Sequence, residues 1–194
     1  MQDKHKNIVG IILAGGRGRR LGGLDKGLQL YRDAPLITHV IDRLSPQVDE
    51  IVICANRNIG DYQTLGFSVI EDIEDTFQGP MAGIYAAFTQ LQQSEFDSAA
   101  IASCDAPGLP NTLIKTLSSK SNEASLVAVA HDGERKQNLH CLIKRAAWGS
   151  LIKSYQSGER AMHRWFAEIS VDEIDFSDQA ESFFNINSAE LLET

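Results

Sequence analysis

Between Leu13 and Gly27 the chain reads LAGGRGRRLGGLDKG, six glycines set among four cationic side chains. Gly15, Gly16 and Gly18 carry no Cβ, so the backbone can take unusual dihedrals there and bring its N–H groups close to a ligand. Arg17, Arg19, Arg20 and Lys26 add charge: arginine grips phosphate oxygens through a planar fork, and lysine supplies a mobile point charge. The combination points to a polyphosphate. It fits neither common phosphate motif. Gly22 and Gly27 have P-loop spacing, but Leu28 stands where the P-loop lysine belongs, and Gly16, Gly18 and Leu21 lack the third glycine of the dinucleotide fingerprint. The competing reading, a solvated turn with surface arginines, is weakened by the glycine density directly after an apolar run.

Two carboxylates, Asp72 and Asp105, each close an apolar run. Both fit the role of turn or cap residue, which is common before a proline such as Pro107. Asp105 also fits a Mg²⁺ ligand, because Mg²⁺ is typically held by one or two carboxylates together with substrate phosphates. Cys54, Cys104 and Cys141 are far apart and show no metal-ligand or CxxC spacing, which reads as reduced thiols in a cytoplasm. His140 reads as a packed strand residue with no chemistry.

The elements that must position these residues alternate. Apolar runs at 7–14, 50–55, 67–71, 98–104 and 124–130 read as buried strands. Met81, Ile84, Tyr85, Phe88 and Leu91 recur at helical spacing between Pro80 and Leu91, with weaker helical patterns at 35–44 and 111–117. This alternation predicts an α/β fold with a mostly parallel sheet, whose ligands lie beyond the carboxyl ends of the strands. After residue 131 the rhythm changes. HDGER reads as a turn, LHCLIK (139–144) as a strand, 146–155 and 160–166 as helices, and SFFNINSAELLE (182–193) as a strand leading into a last helix. Asn187 is placed to cap that helix, with Glu190 three residues on.

A chain of 194 residues, 43% hydrophobic, suits one globular domain. Within it, 7–110 reads as a nucleotide-binding part and 111–194 as an acceptor-binding part. A net charge of −8 argues against nucleic acid or an anionic membrane as partner, so an anionic ligand must be drawn in locally. Lys4, Lys6 and IVGIILAGG superficially resemble an export signal, but the arginines that follow argue against it. The expectation is a cytoplasmic monomer or weak oligomer.

Leu13 to Lys26 resembles the LAGGxGxRxGxxDK signature of the sugar-nucleotide and cofactor nucleotidyltransferases. ANR at 55–57, VIED at 69–72, GPMAG at 79–83, CDAP at 104–107, HDGER at 131–135, SGER at 157–160, DFSD at 175–178 and FFNINS at 183–188 follow in the order found in the bacterial molybdenum cofactor guanylyltransferase family. The resemblance spans nearly the whole chain. It implies a three-layer, Rossmann-like (GT-A-like) nucleotidyltransferase fold with a mostly parallel mixed sheet, and transfer of GMP from Mg²⁺-bound GTP to molybdopterin-bound molybdenum with loss of pyrophosphate. Leu13, Ala14 and Gly15 would then lie by the base, and Lys26 and Arg20 would face phosphates. Asp105 would hold the metal, Asn56 and Asp72 would lie at the nucleotide, and Gly79 and Gly83 beside guanine. Arg160, Asn185 and Asn187 are the acceptor-side candidates; capping and surface ion pairing are their alternative roles. The resemblance also implies encounters with cofactor carrier or insertion proteins and with acceptor molybdoenzymes.

Two departures stand out. Cys54 occupies a position where relatives often carry Asn, and KQNLHCLIK (136–144) replaces a proline-containing segment. Two rival readings share much of the signature: a related transferase using CTP or a sugar phosphate, and a non-catalytic nucleotide-binding regulatory module. Asp72 and Asp105 argue against the second.

Overall fold

Ile8–Leu13 is buried at every position, because strand β1 lies inside the sheet with a parallel neighbour on each side and helices over both faces. The structure, a computed structural model, describes residues 7–15, 25–73 and 78–186. In chain order the elements after β1 are a hairpin of β2 (Leu30–Tyr31) and β3 (Ala34–Pro35), α1 (Leu36–Leu44), β4 (Glu50–Cys54), α2 (Ile59–Gln63) and β5 (Ser68–Ile70). There follow α3 (Pro80–Gln90), β6 (Ser98–Ser103), α4 (Leu113–Lys120), β7 (Val127–His131), β8 (Lys136–Lys144), α5 (Arg145–Gln156), α6 (Met162–Phe166) and β9 (Val171–Asp175).

Seven strands form one sheet in the order β5-β4-β1-β6-β8-β7-β9. All pairings are parallel except those of β8 with β6 and β7, so the expected mostly parallel mixed sheet is present. Alternate residues of β1 feed two cores. Val9, Ile11 and Leu13 face α3, α5 and α6, whereas Ile8 and Ile12 face α1, α2 and α4. Helix α3 is locked onto α5 by two aromatic stacks, Phe88 on Trp148 and Tyr85 on Tyr155, each with centroids 4.4 Å apart.

Register gathers the site. Leu13 pairs with both Cys54 and Ser103, and Cys54 pairs with Ile70, so β1, β4, β5 and β6 end at one level. Backbone bonds carry that alignment one residue further, from Ala14 N–H to the Cys54 carbonyl (2.9 Å), Ala55 N–H to Ile70 (3.0 Å) and Cys104 N–H to Leu13 (3.1 Å).

The late part of the chain differs from the expectation in three places. Strand β8 begins at Lys136 rather than Leu139. VDEID forms β9, an edge strand whose three acidic side chains, Asp172, Glu173 and Asp175, leave it no apolar alternation. Ser182 and Phe183 close a 3-10 turn running Ser177–Phe183 and residues 184–186 have no regular structure, so the expected strand there is absent. Phe183 packs against Phe176 and His140 instead of extending. The last helix, with Asn187 and Glu190, lies outside the described residues. Among those described, no helix is long and apolar enough to cross a membrane.

Candidate active site

Asp105 lies two residues beyond the end of β6 and is held at both oxygens. Oδ1 accepts from the Ser103 hydroxyl at 2.6 Å, and Oδ2 meets the Lys26 ammonium at 2.5 Å. Both partners of the ion pair keep some exposure, 22% for the Lys26 side chain and 16% for that of Asp105, so they are open to a ligand.

Lys26 reaches Asp105 because Asp25 anchors the short 3-10 turn Lys26–Leu28. The Asp25 carboxylate is buried and accepts three bonds: from Gly27 N–H (3.2 Å), the Tyr62 hydroxyl (2.5 Å) and the Asn58 amide (3.1 Å). Burial first, with the neighbouring Cys104 and the Asp25 carboxylate, pushes the Tyr62 phenol well above its usual range, so it stays a donor. A Cβ at Gly27 would come within 2.5 Å of the Tyr62 oxygen, so only glycine admits this contact.

On the other side of β1, Asn56 and Asp72 form a reciprocal pair. The Asn56 amide donates to Asp72 Oδ2 at 2.6 Å, and Asp72 N–H donates to Asn56 Oδ1 at 2.7 Å. Burial raises the Asp72 carboxyl above its ordinary value, and the Asn56 bond works against that rise. A Cβ added at Gly83 of α3 would lie 3.1 Å from Cys54, 3.2 Å from Leu13 and 3.7 Å from Asp72, and one at Gly15 would lie 3.4 Å from Asn56, so these groups close in on both glycines. Leu13, Gly15, Asn56, Asp72 and Gly83 therefore form one cluster. Cys54 belongs to it: its buried thiol donates to the Gly83 carbonyl at 3.4 Å, and burial raises its pKa far above the range of a reactive thiolate. In this chain the position serves β4–α3 packing. All three cysteines are free and buried.

Gly79 precedes α3 with φ +87° and ψ −177°, a region essentially restricted to glycine. A Cβ there would lie 4.0 Å from the Arg160 carbonyl. The Arg160 guanidinium donates to Gln78 Oε1 and to the carbonyls of Tyr155 (2.6 Å) and Glu159 (2.8 Å). Asn185 approaches from the late segment. Its neighbour Ile186 donates N–H to the Asp105 carbonyl at 3.0 Å, and Asn185 Oδ1 is buried without a hydrogen-bond partner. Asn138 Oδ1 and both ring nitrogens of His140 are likewise buried and unpartnered, and burial lowers the His140 pKa to about 4, with the Asp105 charge opposing.

The structure thus brings Lys26 and Asp105 together, and separately Leu13, Gly15, Asn56, Asp72 and Gly83; Arg20 and Asn187 lie outside the described residues. Sequence reasoning gave no role to Asp25, Tyr62, Asn58, Ser103 or Gln78. Asp25 had a signal, a carboxylate beside the functional lysine. Its partners Asn58 and Tyr62, 33 and 37 residues away, had none.

A mostly parallel sheet carries a lysine–aspartate pair at its carboxyl edge, the place where open α/β sheets hold their ligands. Residues 10–174 match the family model described as the MobA-like NTP transferase domain, and the chain belongs to that family. It is 41% identical over 184 residues to a molybdenum cofactor guanylyltransferase of Shewanella loihica, covering 94% of this chain and 92% of that one. Its identity to the Shewanella woodyi protein of the same description is 40%, with the same coverage. A crystal structure described as molybdopterin-guanine dinucleotide biosynthesis protein A, from Archaeoglobus fulgidus, shares the fold with TM-score 0.75 at 22% identity over 95% of each chain.

Proposed function

We propose that this enzyme transfers GMP from GTP to molybdopterin-bound molybdenum, forming the molybdopterin guanine dinucleotide cofactor and releasing pyrophosphate. The observation that carries this reading is the Lys26–Asp105 pair at the end of β6, in a chain about 40% identical over nearly its whole length to molybdenum cofactor guanylyltransferases.

The acceptor's terminal phosphate, with a second pKa of about 6, is largely ionised at neutral pH. It needs no protein nucleophile. One of its oxygens bonds to the α-phosphorus of GTP, the bond from that phosphorus to the bridging oxygen breaks, and the electron pair leaves on pyrophosphate. The protein's task is to align the two anions and offset their repulsion. Lys26, with Arg20, neutralises the phosphates. Leu13, Ala14 and Gly15 cradle the base side with Asn56, Asp72, Gly79 and Gly83, and Asn185 and Asn187 serve the acceptor side.

Asp105 would hold Mg²⁺. The donor set fits: a partly exposed carboxylate already drawn to a cation, with substrate phosphates and water to complete the shell, as Mg²⁺ prefers. No group of three or more metal-ligating side chains occurs among the described residues, which suits a metal that arrives with its nucleotide. When bound, the ion supplies further charge neutralisation on the triphosphate.

Thermal unfolding with each nucleotide and Mg²⁺ tests the assignment, since a ligand that prefers the folded state stabilises it by about 2.7 kcal/mol at one hundred times its Kd. GTP raises Tm more than ATP, CTP or UTP at equal concentration. A larger rise with CTP would assign the chain to a cytidylyl-transferring relative.

A further inference from the structure

Arg160 has an alternative to the acceptor-side role that its place in SGER suggests. Its guanidinium lies 3.9 Å from the Tyr155 ring centroid, a cation–π distance. The same group donates to the Tyr155 and Glu159 carbonyls and, across 82 residues of sequence, to the Gln78 side chain. Two further features stiffen this junction. The Glu159 carboxylate accepts from Arg160 N–H and Ala161 N–H, both at 2.8 Å, fixing the turn that carries the arginine. Tyr155 stacks on Tyr85 of α3, so the guanidinium grips α3 through Tyr155 and the residue before Gly79 through Gln78. A Cβ at Gly79 would lie 4.0 Å from the Arg160 carbonyl.

We propose that Arg160 is a positioning residue for the nucleotide base: it holds the Gln78–Gly79 turn and the start of α3 in the geometry that reads guanine, and acts through that turn rather than on the acceptor. This rests on the base-side role proposed above for Gly79 and Gly83. The planar fork is needed because Nε and Nη1 serve different partners at once, which an ammonium cannot reproduce.

Steady-state kinetics and calorimetric GTP binding test it. Arg160→Ala raises KM and Kd for GTP by roughly 10- to 100-fold, lowers the preference for GTP over ATP, and leaves acceptor KM and the kcat reached at saturating GTP close to wild type. Gln78→Ala shifts GTP affinity in the same direction, and the double variant is no worse than Arg160→Ala alone, as for two residues acting through one contact. Arg160→Lys, which keeps the charge over Tyr155, recovers part of the loss. A raised acceptor KM with unchanged GTP affinity, or additive losses in the double variant, would overturn the proposal. Should Arg160→Ala not fold, Gln78→Ala and Arg160→Lys carry the same comparison. If wild type binds no GTP, the functional reading itself fails; if wild type binds GTP and the variants bind it equally, only the role of Arg160 fails.

Discussion

Lys26 and Asp105 meet because two local devices aim them at each other, the Asp25-anchored turn on one side and the Ser103 hydroxyl on the other. Lys26→Ala removes a charge-assisted contact to phosphate, each such bond contributing roughly 1.5–3 kcal/mol, and slows transfer by about 10- to 100-fold or more. Unchanged turnover would remove Lys26 from the site. Asp105→Ala abolishes metal-dependent transfer while the circular dichroism spectrum stays native; a lost spectrum would make Asp105 structural instead. Asp25→Ala acts differently. It strands the Tyr62 hydroxyl in a buried setting and takes a partner from the solvent-facing Asn58 amide, so urea unfolding shows a loss of about 1–3 kcal/mol, and activity falls as the Lys26 turn loosens. Lys26 and Asp105 could be singled out in the sequence, Lys26 as a cation of the glycine-rich loop and Asp105 as a carboxylate closing an apolar run. Asp25's partners could not be, since hydrogen bonds made across 33 and 37 residues leave no local pattern.

At the scale of elements, the turn into α3 depends on a dihedral that only glycine adopts readily. Gly79→Ala, at φ +87°, costs about 1–3 kcal/mol in backbone strain. Because the strain is relieved by moving the turn, weaker GTP binding accompanies the fall in Tm; wild-type GTP affinity in this variant would detach the turn from the base. Five strands of the main sheet, β1, β4, β5, β6 and β7, were readable as short apolar runs, most clearly β1 and β6, which are buried along nearly their whole length; of the antiparallel β8 only the apolar second half was readable. Strand β9 was not, because this edge strand has only one buried side chain, Ile174, flanked by the acids Glu173 and Asp175. The segment at 182–186 misled for the opposite reason: its apolar content reflects Phe183 filling the space beside Phe176 and His140, not a strand face.

Over the whole molecule, stability and charge carry separate signatures. His140 is buried and neutral, with Asp105 the charge that influences it most. Its pKa falls from 6.5 unfolded to about 4 folded, so below pH 6.5 the unfolded chain binds the extra proton. The stability present above pH 6.5 is therefore lost progressively as pH falls toward 4. Relative to His140→Leu, wild type loses about 2 kcal/mol of unfolding free energy between pH 7.5 and pH 5; parallel profiles would show that the imidazole is already charged or solvated. The acidic body, net −8, concentrates the demand for positive charge in one loop and one lysine, which is why the opening motif announced a polyanion before any fold was known. What the motif could not reveal was the frame around it: the register that brings four strand ends level and the Arg160 junction joining the early and late parts of the chain. The central claim is tested most directly by incubating purified enzyme with GTP, Mg²⁺ and molybdenum cofactor and following the guanine dinucleotide product and pyrophosphate together. The account predicts both in equal amounts, dependent on Lys26 and Asp105 and not supported by CTP; product formed from CTP in preference to GTP, or no product from an enzyme that binds GTP, would contradict it.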